Sequence, residues 1–218
     1  DNSWFDKETK NMSRREIAQE LECNFNMSGE TVFSSEDLET YLNMCTEPRY
    51  RTGFDRNLWI WENREEAQDY FISADVARGD GKDFSTALVF KTTTMEVVAE
   101  YRGKVTPDLF SKILYDLGLE YGNALLVVEN NSVGFAVLDK LREASYPNLY
   151  FSIKSTHEFI EEYRAENMSN AVAGFSMTSK TRPLIIAKME EFVRNNLIKI
   201  YSTRLLAEMK TFVWNHGR

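Results

Sequence analysis

Short apolar runs and amphipathic stretches alternate along the chain from about residue 68 onward, a pattern typical of strands interleaved with helices. The apolar runs predict strands at 70–76, 85–91, 96–102, 124–129 and 148–153, with a last short strand at 197–201. Stretches of helical periodicity predict helices at 107–121, 132–144, 180–195 and 202–214. Short turns join the first three strands, so these are expected to be antiparallel neighbours. A helix precedes the fourth strand, which is therefore expected to lie parallel to the first.

The first 62 residues carry weaker patterns. Short helices are predicted at 12–21 and 34–44, followed by a polar connector at 45–56 that contains Pro48 and Gly53. The apolar residues at 58–61 predict either a short strand or a patch that covers the edge of the main sheet. The sequence therefore predicts a leading segment, residues 1–62, and a main domain, residues 63–218.

Two of the predicted strands end on an acid. Asp75 follows the apolar run 71–74, and Glu129 follows the run 125–128. A carboxylate at the end of a buried strand lies at the rim of the sheet on a rigid support, and two of them on neighbouring strands would make a site for divalent metal ions. Asp75 is the candidate bridging ligand and Glu129 the flanking one. In the turn after the first strand, Asp80 and Asp83 are candidate outer ligands, of which Asp83 is kept in the predicted site.

The same residues also admit structural explanations. Asp75 can cap the turn that follows it, and Glu129 can hydrogen-bond to the first amides of the next helix. Asp80 and Asp83 are both typical turn residues. The Asn-Asn-Ser sequence at 130–132 is expected to cap that next helix. These alternatives stay open at the level of the residues alone.

Composition narrows the class of protein. The chain has 218 residues, 43% of them hydrophobic, which is ample for a folded core. No apolar run approaches the length of a membrane span, so no membrane partner is expected. Cys23 and Cys45 lack CxxC spacing, which favours a reduced cytosolic protein, and His157 and His216 are too few for a zinc site. The net charge of −8 argues against a general nucleic-acid binder unless bound metal ions supply positive charge locally.

The predicted order of elements resembles the ribonuclease H-like fold, an α/β architecture whose mixed sheet combines an antiparallel three-stranded meander with flanking helices. In that fold the first acid lies on the first strand and the second at the end of the fourth, where Asp75 and Glu129 fall. Three segments together resemble the nuclease domain of the large terminase subunit of tailed bacteriophages: SADVARGDGKDFSTALVF at 73–90, VVENNSVG at 127–134 and the helix that starts at 180. The leading segment, with RREIAQELECNFNMSGETVF at 14–33, resembles the end of the terminase motor (ATPase) domain, where that domain hands over to its nuclease.

The resemblance implies a metal-dependent endonuclease, an endodeoxyribonuclease that cuts concatemeric double-stranded viral DNA during genome packaging by two-metal-ion phosphodiester hydrolysis. It implies two Mg²⁺ or Mn²⁺ ions held by Asp75, Glu129 and Asp83, with Asp75 and Glu129 as the catalytic residues. Arg78, Lys82, Lys180 and Arg182 are candidate DNA-binding residues. The implied partners are double-stranded DNA, an amino-terminal ATPase domain, the portal protein and the small terminase subunit, in the host cytoplasm at the procapsid portal.

The chain departs from the family pattern in one respect. The family's third acid lies in a pair of aspartates near the carboxyl end, whereas no Asp follows Asp139 here. The domain is therefore expected to be truncated at its C-terminal end and weakly active. The phosphate-binding pattern GxxxxGKS or GxxxxGKT is absent from the sequence. Three alternatives remain: a Holliday-junction resolvase-like nuclease, a non-catalytic ribonuclease H-like interaction module, and a phosphate-binding relative of sugar kinases and actin-like ATPases.

Overall fold

The computed structural model describes residues 31–153 and 171–214. The predicted helix at 12–21, together with Cys23, His157 and His216, lies outside these residues. Among the described helices, none is both long and apolar enough to cross a membrane. Cys45 carries a free thiol whose pKa is raised by burial.

A six-stranded mixed sheet organises the larger part of the chain. Its strands lie in the order β1-β2-β5-β4-β3-β6. All neighbouring pairs are antiparallel except β3 and β6, which are parallel. The strand bounds are β1 Tyr50–Thr52, β2 Leu58–Ile60, β3 Tyr70–Asp75, β4 Ser85–Lys91, β5 Glu96–Gly103 and β6 Leu125–Val128. The predicted meander and the parallel fourth strand are confirmed.

Five α-helices are described, at positions within a few residues of the predicted ones for all except the last, which ends earlier. They are α1 Ser35–Met44, α2 Pro107–Glu120, α3 Gly134–Glu143, α4 Thr181–Arg194 and α5 Thr203–Lys210. Pro107 occupies the first turn of α2, where its missing N–H costs no hydrogen bond. Ser34 caps α1 and Ser202 caps α5, each accepting a hydrogen bond from an amide of the first turn.

The core lies on one face of the sheet. Ile72 and Ala74 of β3 alternate with outward-facing residues, as do Leu126 and Val128 of β6, and all four are buried. Helices α2 and α3 pack over this face and contribute the buried residues Phe110, Leu114, Leu117, Val137, Leu138 and Leu141. Each fully buried side chain of this size contributes about 1.5–3 kcal/mol. Positions in between on the strands, including Ser73 and Asp75, therefore point to the opposite face.

Three regions differ from the sequence prediction. Residues 50–52 form an edge strand inside the predicted polar connector. The sequence pattern does not reveal this strand, because an edge strand needs no alternating apolar residues. The predicted fifth strand is shortened to β7 (Phe151–Ile153), which pairs with β8 (Ala171–Ala173) in a separate two-stranded sheet. Residues 197–201 form none of the strands described; Tyr41 and Thr46 instead donate hydrogen bonds to the carbonyls of Ile198 and Tyr201.

The chain divides into two compact units. One comprises Glu47–Ile185 and contains the six-stranded sheet with α2 and α3. The other comprises Asp1–Thr46 and Ile186–Arg218, and within it α1 packs against α5. The expected change of domain at residue 62 stays a prediction.

Candidate active site

The two strand-end acids occupy adjacent register positions. Ala74 of β3 pairs with Val128 of β6 in the parallel ladder, and the amide of Glu129 donates to the carbonyl of Ala74 at 3.0 Å. The next residues along the two strands are Asp75 and Glu129. Because neighbouring strands lie about 4.8 Å apart, the two carboxylates rise from backbone positions separated by roughly that distance.

Both acids lie on the sheet face opposite the helical core. Ala74 and Val128, one position earlier, are buried on the core face, so alternation directs Asp75 and Glu129 to the other side. Asp75 is exposed and Glu129 is half-buried. The carboxylates are therefore on one face, at one edge, and open to ligand.

Glu129 is held in place by a polar network after β6. The side-chain amide of Asn131 donates to Oε1 of Glu129 at 2.6 Å and also contacts the carbonyl of Met177 at 3.2 Å. Asn130 is buried, and its side-chain amide donates to the carbonyl of Ala173 at 3.0 Å. Asn131 is thus a candidate functional residue that the sequence analysis assigned to helix capping. The N-cap of α3 is in fact Val133, which makes no side-chain capping bond.

The backbone that follows Glu129 is packed too tightly for a side chain at Gly134. A Cβ at that position would lie 1.9 Å from the carbonyl oxygen of Glu129. Helix α3 can therefore begin directly beneath the acid only because residue 134 is glycine. The main chain of Glu129 is therefore held by two contacts. One is the close packing of Gly134 against its carbonyl oxygen, and the other is the hydrogen bond from its amide to Ala74 of β3.

The remaining predicted site residues belong to two segments of the chain. Asp83 is in the exposed turn between β3 and β4 with Asp80, Arg78 and Lys82. Since Asp75 pairs with Thr86, Asp83 lies beyond the end of the ladder, and the register does not set it opposite Asp75. Its role as a ligand stays a prediction.

Two further predicted residues belong to the start of α4. Arg182 is in the first turn of that helix and Lys180 precedes it. Thr178 and Thr181 bond to each other at this helix start, and Asn131 ties the segment to the site through Met177. The DNA-binding role of Lys180 and Arg182 stays a prediction.

The chemistry of this pair suits a divalent cation. Two carboxylates side by side repel each other unless a cation lies between or beside them. Among residues 31–153 and 171–214, no salt bridge involves either acid, and no group of three or more acidic, histidine or cysteine side chains is arranged to hold a metal ion. The hard oxygen donors of Asp75 and Glu129 fit magnesium or manganese as part of a ligand set that needs water or other groups to complete it.

The architecture and the paired acids define a class: an α/β protein with a mixed sheet and carboxylates at the ends of two neighbouring parallel strands. No protein-family model matches the chain, and no curated protein matches it either. Several solved structures do match. The large terminase nuclease from thermophilic phage G20c is 16% identical, covers 86% of this chain and 84% of that chain, and gives a TM-score of 0.61.

Related structures give similar values. The same nuclease with bound magnesium is 17% identical, with coverage of 86% and 83% and a TM-score of 0.61. The large terminase nuclease domain of Thermus phage P74-26 is 16% identical, with coverage of 83% and 80% and a TM-score of 0.57. The G20c nuclease has also been solved with bound zinc and with bound cobalt. The fold of this chain is therefore ribonuclease H-like, as these terminase nuclease domains are, and the fold resemblance expected from the sequence is confirmed.

Proposed function

We propose that this chain is a metal-dependent endonuclease domain that cuts concatemeric double-stranded viral DNA during genome packaging. The observation that carries the proposal is the adjacent placement of Asp75 and Glu129 at the ends of two parallel strands. The match of nearly the whole fold to terminase nuclease domains supports the same reaction class.

Asp75 and Glu129 would hold the metal ions, with Asp83 as a further candidate ligand. The metal-bound neighbour structures support a divalent ion, and Mg²⁺ or Mn²⁺, as a pair of ions, is the proposed cofactor. When bound, such ions supply an activated water at neutral pH and neutralise the leaving oxygen of the phosphodiester.

The protein's own contribution is orientation. The hydrogen bond from Asn131 directs Oε1 of Glu129 and leaves Oε2 as the oxygen without that bond. Asp75 is carried by the central strand β3, which is paired on both sides, so its backbone position is rigid. Acids held in this way keep their geometry when phosphate approaches, and this is what a site of this kind requires.

The proposed partners follow from the reaction. They are double-stranded DNA and, in a full packaging motor, an amino-terminal ATPase domain, the portal protein and the small terminase subunit. The proposed location is the host cytoplasm, at the procapsid portal.

The test is cleavage of supercoiled plasmid in the presence of Mg²⁺ or Mn²⁺. Wild-type protein is expected to nick and linearise the plasmid. Asp75→Ala and Glu129→Ala are each expected to reduce the rate by more than about 100-fold, since loss of a ligand should exceed the 10–100-fold effects typical of groups that only orient ligands. Asp139→Ala, an exposed acid on α3, is the matched control. Cleavage by Asp75→Ala at the wild-type rate would refute the assignment.

A non-catalytic ribonuclease H-like module is the second candidate, because the described residues bring together two carboxylates and not three. It predicts no cleavage by wild-type protein under any divalent ion, with no change on substitution of Asp75. A resolvase-like nuclease predicts instead that a four-way junction is cut in preference to linear duplex. The plasmid assay distinguishes the first alternative, and the same assay with a four-way junction and a linear duplex as substrates distinguishes the second.

A further inference from the structure

The core face of the sheet loses its cover toward β1. Thr52 of β1 pairs with Leu58 of β2, and Leu58 pairs with Tyr101 of β5. Residues that pair directly across antiparallel strands share a face, so these three side chains form one row. Tyr101 is buried in the core, Leu58 is half-buried and Thr52 is exposed. Cover over the row therefore decreases from the centre of the sheet to its edge.

A cavity of about 420 Å³ opens beside this row. The three residues of the row line it, together with residues of the turn after β1 and of helix α2. The helix contributes Leu109, Ile113 and Leu117, which are spaced four residues apart and so share one helical face. The volume falls within the roughly 300–1,000 Å³ that is typical of binding sites.

Two large apolar side chains at this cavity remain in contact with water. Phe54, in the turn after β1, is 81% exposed, and Leu109, on α2, is 47% exposed. Burial of side chains of this size is favourable, because it removes apolar surface from water. The described part of the chain leaves that gain unrealised on both sides of the cavity.

The charged residues that line the cavity are both acidic and are placed unfavourably for the fold. Asp116 and Glu120 are exposed and lie one turn apart near the carboxyl end of α2. Like charges at this spacing, and negative charge at this end of a helix, are both destabilising. Among the described residues neither acid forms a salt bridge, and Lys112, one turn before Asp116, does not pair with it. A cation brought by a partner would balance these charges.

The cavity adjoins an open strand edge. β1 is the outermost strand on this side of the sheet, and no described backbone group outside β2 bonds to residues 50–52. The N–H and C=O groups that β1 directs away from β2 can therefore pair with an added strand. Since side chains alternate along a strand, every second side chain of an added strand would lie on the face of Thr52, at the cavity.

We propose that β1 and this cavity, together the β1 groove, form a docking site for an extended segment of a partner protein. The segment would pair with β1, place a large apolar side chain in the cavity and bring a lysine or arginine two residues away to Asp116 and Glu120. A polypeptide fits better than a small molecule, because only a polypeptide supplies backbone groups for β1 together with apolar cover for Phe54 and Leu109.

The inference goes beyond the proposed nuclease function and does not depend on it. β1 and β6 are the two edge strands of the sheet, and Glu129 follows β6. Asp75 and Glu129 also lie on the face opposite the core, whereas the cavity lies on the core face. A partner docked in the β1 groove would therefore leave both acids accessible to metal ions and DNA.

The test measures binding of three fluorescein-labelled peptides by anisotropy. The first, Thr-Lys-Thr-Trp-Thr-Lys-Thr, carries a large apolar side chain with lysine two residues away on each side. The second has glutamate in place of both lysines, and the third has serine in place of tryptophan. We expect the first peptide to bind at least about 10-fold more tightly than either of the others, as for an anchor side chain in a pocket.

Substitutions of the acids test the charge complementarity. The double variant Asp116→Asn/Glu120→Gln should bind the first peptide about 5-fold more weakly, since it loses two exposed charge pairs. The matched control is Asp139→Asn/Glu143→Gln, which removes two exposed acids at the same spacing on α3. The control should keep the wild-type affinity, and equal losses in the two double variants would overturn the role of the acids in the β1 groove.

A substitution at the edge strand tests the cavity itself. Thr52 is exposed, so Thr52→Trp should fold, and thermal unfolding checks this. The added ring should occupy the cavity and weaken binding of the first peptide by at least about 10-fold. Unchanged affinity in the folded variant would contradict the proposed site.

Hydrogen–deuterium exchange locates the bound peptide and separates the possible occupants. The first peptide should protect the amides of residues 50–52 in the wild-type protein. Binding without that protection would show that the cavity takes a side chain or a small molecule without strand pairing, and the proposal would be wrong. Residues 50–52 already protected in the free protein would show that another part of this chain or a second copy occupies the edge, which would overturn it equally. So would a wild-type protein that binds the three peptides alike.

Discussion

Strands β3 and β4 carry charged groups at both ends, and the two ends differ in how those charges are balanced. At one end Tyr70 pairs with Lys91, and at the other Asp75 pairs with Thr86. Nζ of Lys91 lies 2.7 Å from a carboxylate oxygen of Glu62 and 3.0 Å from one of Glu65, and only 10% of the Lys91 side chain is exposed. At the other end two acids stand side by side.

This contrast separates a cluster that the fold explains from the pair that we propose to be functional. The Lys91 cluster joins opposite charges and gives the ammonium of a nearly buried side chain two carboxylate partners, so stability alone explains it. The Asp75–Glu129 pair joins like charges at adjacent positions, which is unfavourable for the folded protein. A binding partner explains the second arrangement, and a cation is the simplest one.

Removing the charge of Lys91 gives the largest expected change in stability. Lys91→Met leaves Glu62 and Glu65 facing each other without their shared donor, and we expect a loss of about 1–2 kcal/mol in the free energy of unfolding. Cleavage should be unchanged. Lys140→Met, which breaks the exposed pair with Glu143, should affect stability little. Chemical denaturation measures both, and a Lys91→Met protein as stable as wild type would remove the structural half of the contrast.

The pH dependence of the same cluster is a second test. Hydrogen bonds from Lys91 to Glu62, and then to Glu65, raise the pKa of Lys91. Its stabilisation is therefore fully present below the unfolded-state pKa of about 10.4 and is lost as pH rises through the higher folded-state value. The hydrogen bond from Lys91 lowers the pKa of Glu65, so that contribution is lost as pH falls below about 4.3.

The stability difference between wild type and Lys91→Met should accordingly be flat near neutral pH and shrink at both extremes. Denaturation at a series of pH values measures it. A stability difference that grew toward alkaline pH would contradict the stabilising role assigned to the Lys91 ammonium.

Loss of the Asn131 amide should weaken the functional end without unfolding it. Asn131→Ala removes the donor to Oε1 of Glu129, and we expect cleavage to fall by about 10-fold, with a higher metal concentration needed for half-maximal rate. Asn148→Ala is the control, because the side-chain amide of Asn148 donates to the backbone carbonyl of Asn123 and not to an acid. Equal activity of the two variants would mean that Asn131 does not position Glu129.

The smallest expected effect is a gain in stability at the functional end. Asp75→Asn removes one of two adjacent like charges, and without divalent ions it should raise the free energy of unfolding by about 0.5 kcal/mol. Asp139→Asn provides the comparison for an isolated acid. Denaturation in the presence of a chelator measures the difference, and a destabilised Asp75→Asn protein would show that Asp75 serves the fold.

The sequence predicted the sheet well because alternating and continuous apolar runs report burial directly. Strand β4, predicted at 85–91, is found there, and the position of the two acids at strand ends followed from the runs before them. The edge strand β1 was missed because YRT, with no buried residue, carries no apolar signal.

Contacts between segments that are distant in the sequence could not be predicted from the sequence pattern. The anchoring of Asn130 to the carbonyl of Ala173, and of Asn131 to that of Met177, depends on the path of the chain at 173–177, which no local pattern encodes. Arg102 lies in register with Asp75 because both residues pair with Thr86, although the two are 27 residues apart in the sequence. The assignment of residues 130–132 to capping illustrates the same limit, since Asn and Ser are good caps wherever they occur.

Binding of Mn²⁺, followed by the electron paramagnetic resonance signal of the free ion, tests the central claim most directly. Wild type and Lys91→Met should bind the ion equally well, while Asp75→Asn and Glu129→Gln should each bind it at least about 10-fold more weakly. Wild-type affinity in Asp75→Asn would contradict the account, because the unbalanced charges at that end of the sheet would then have no cation to explain them.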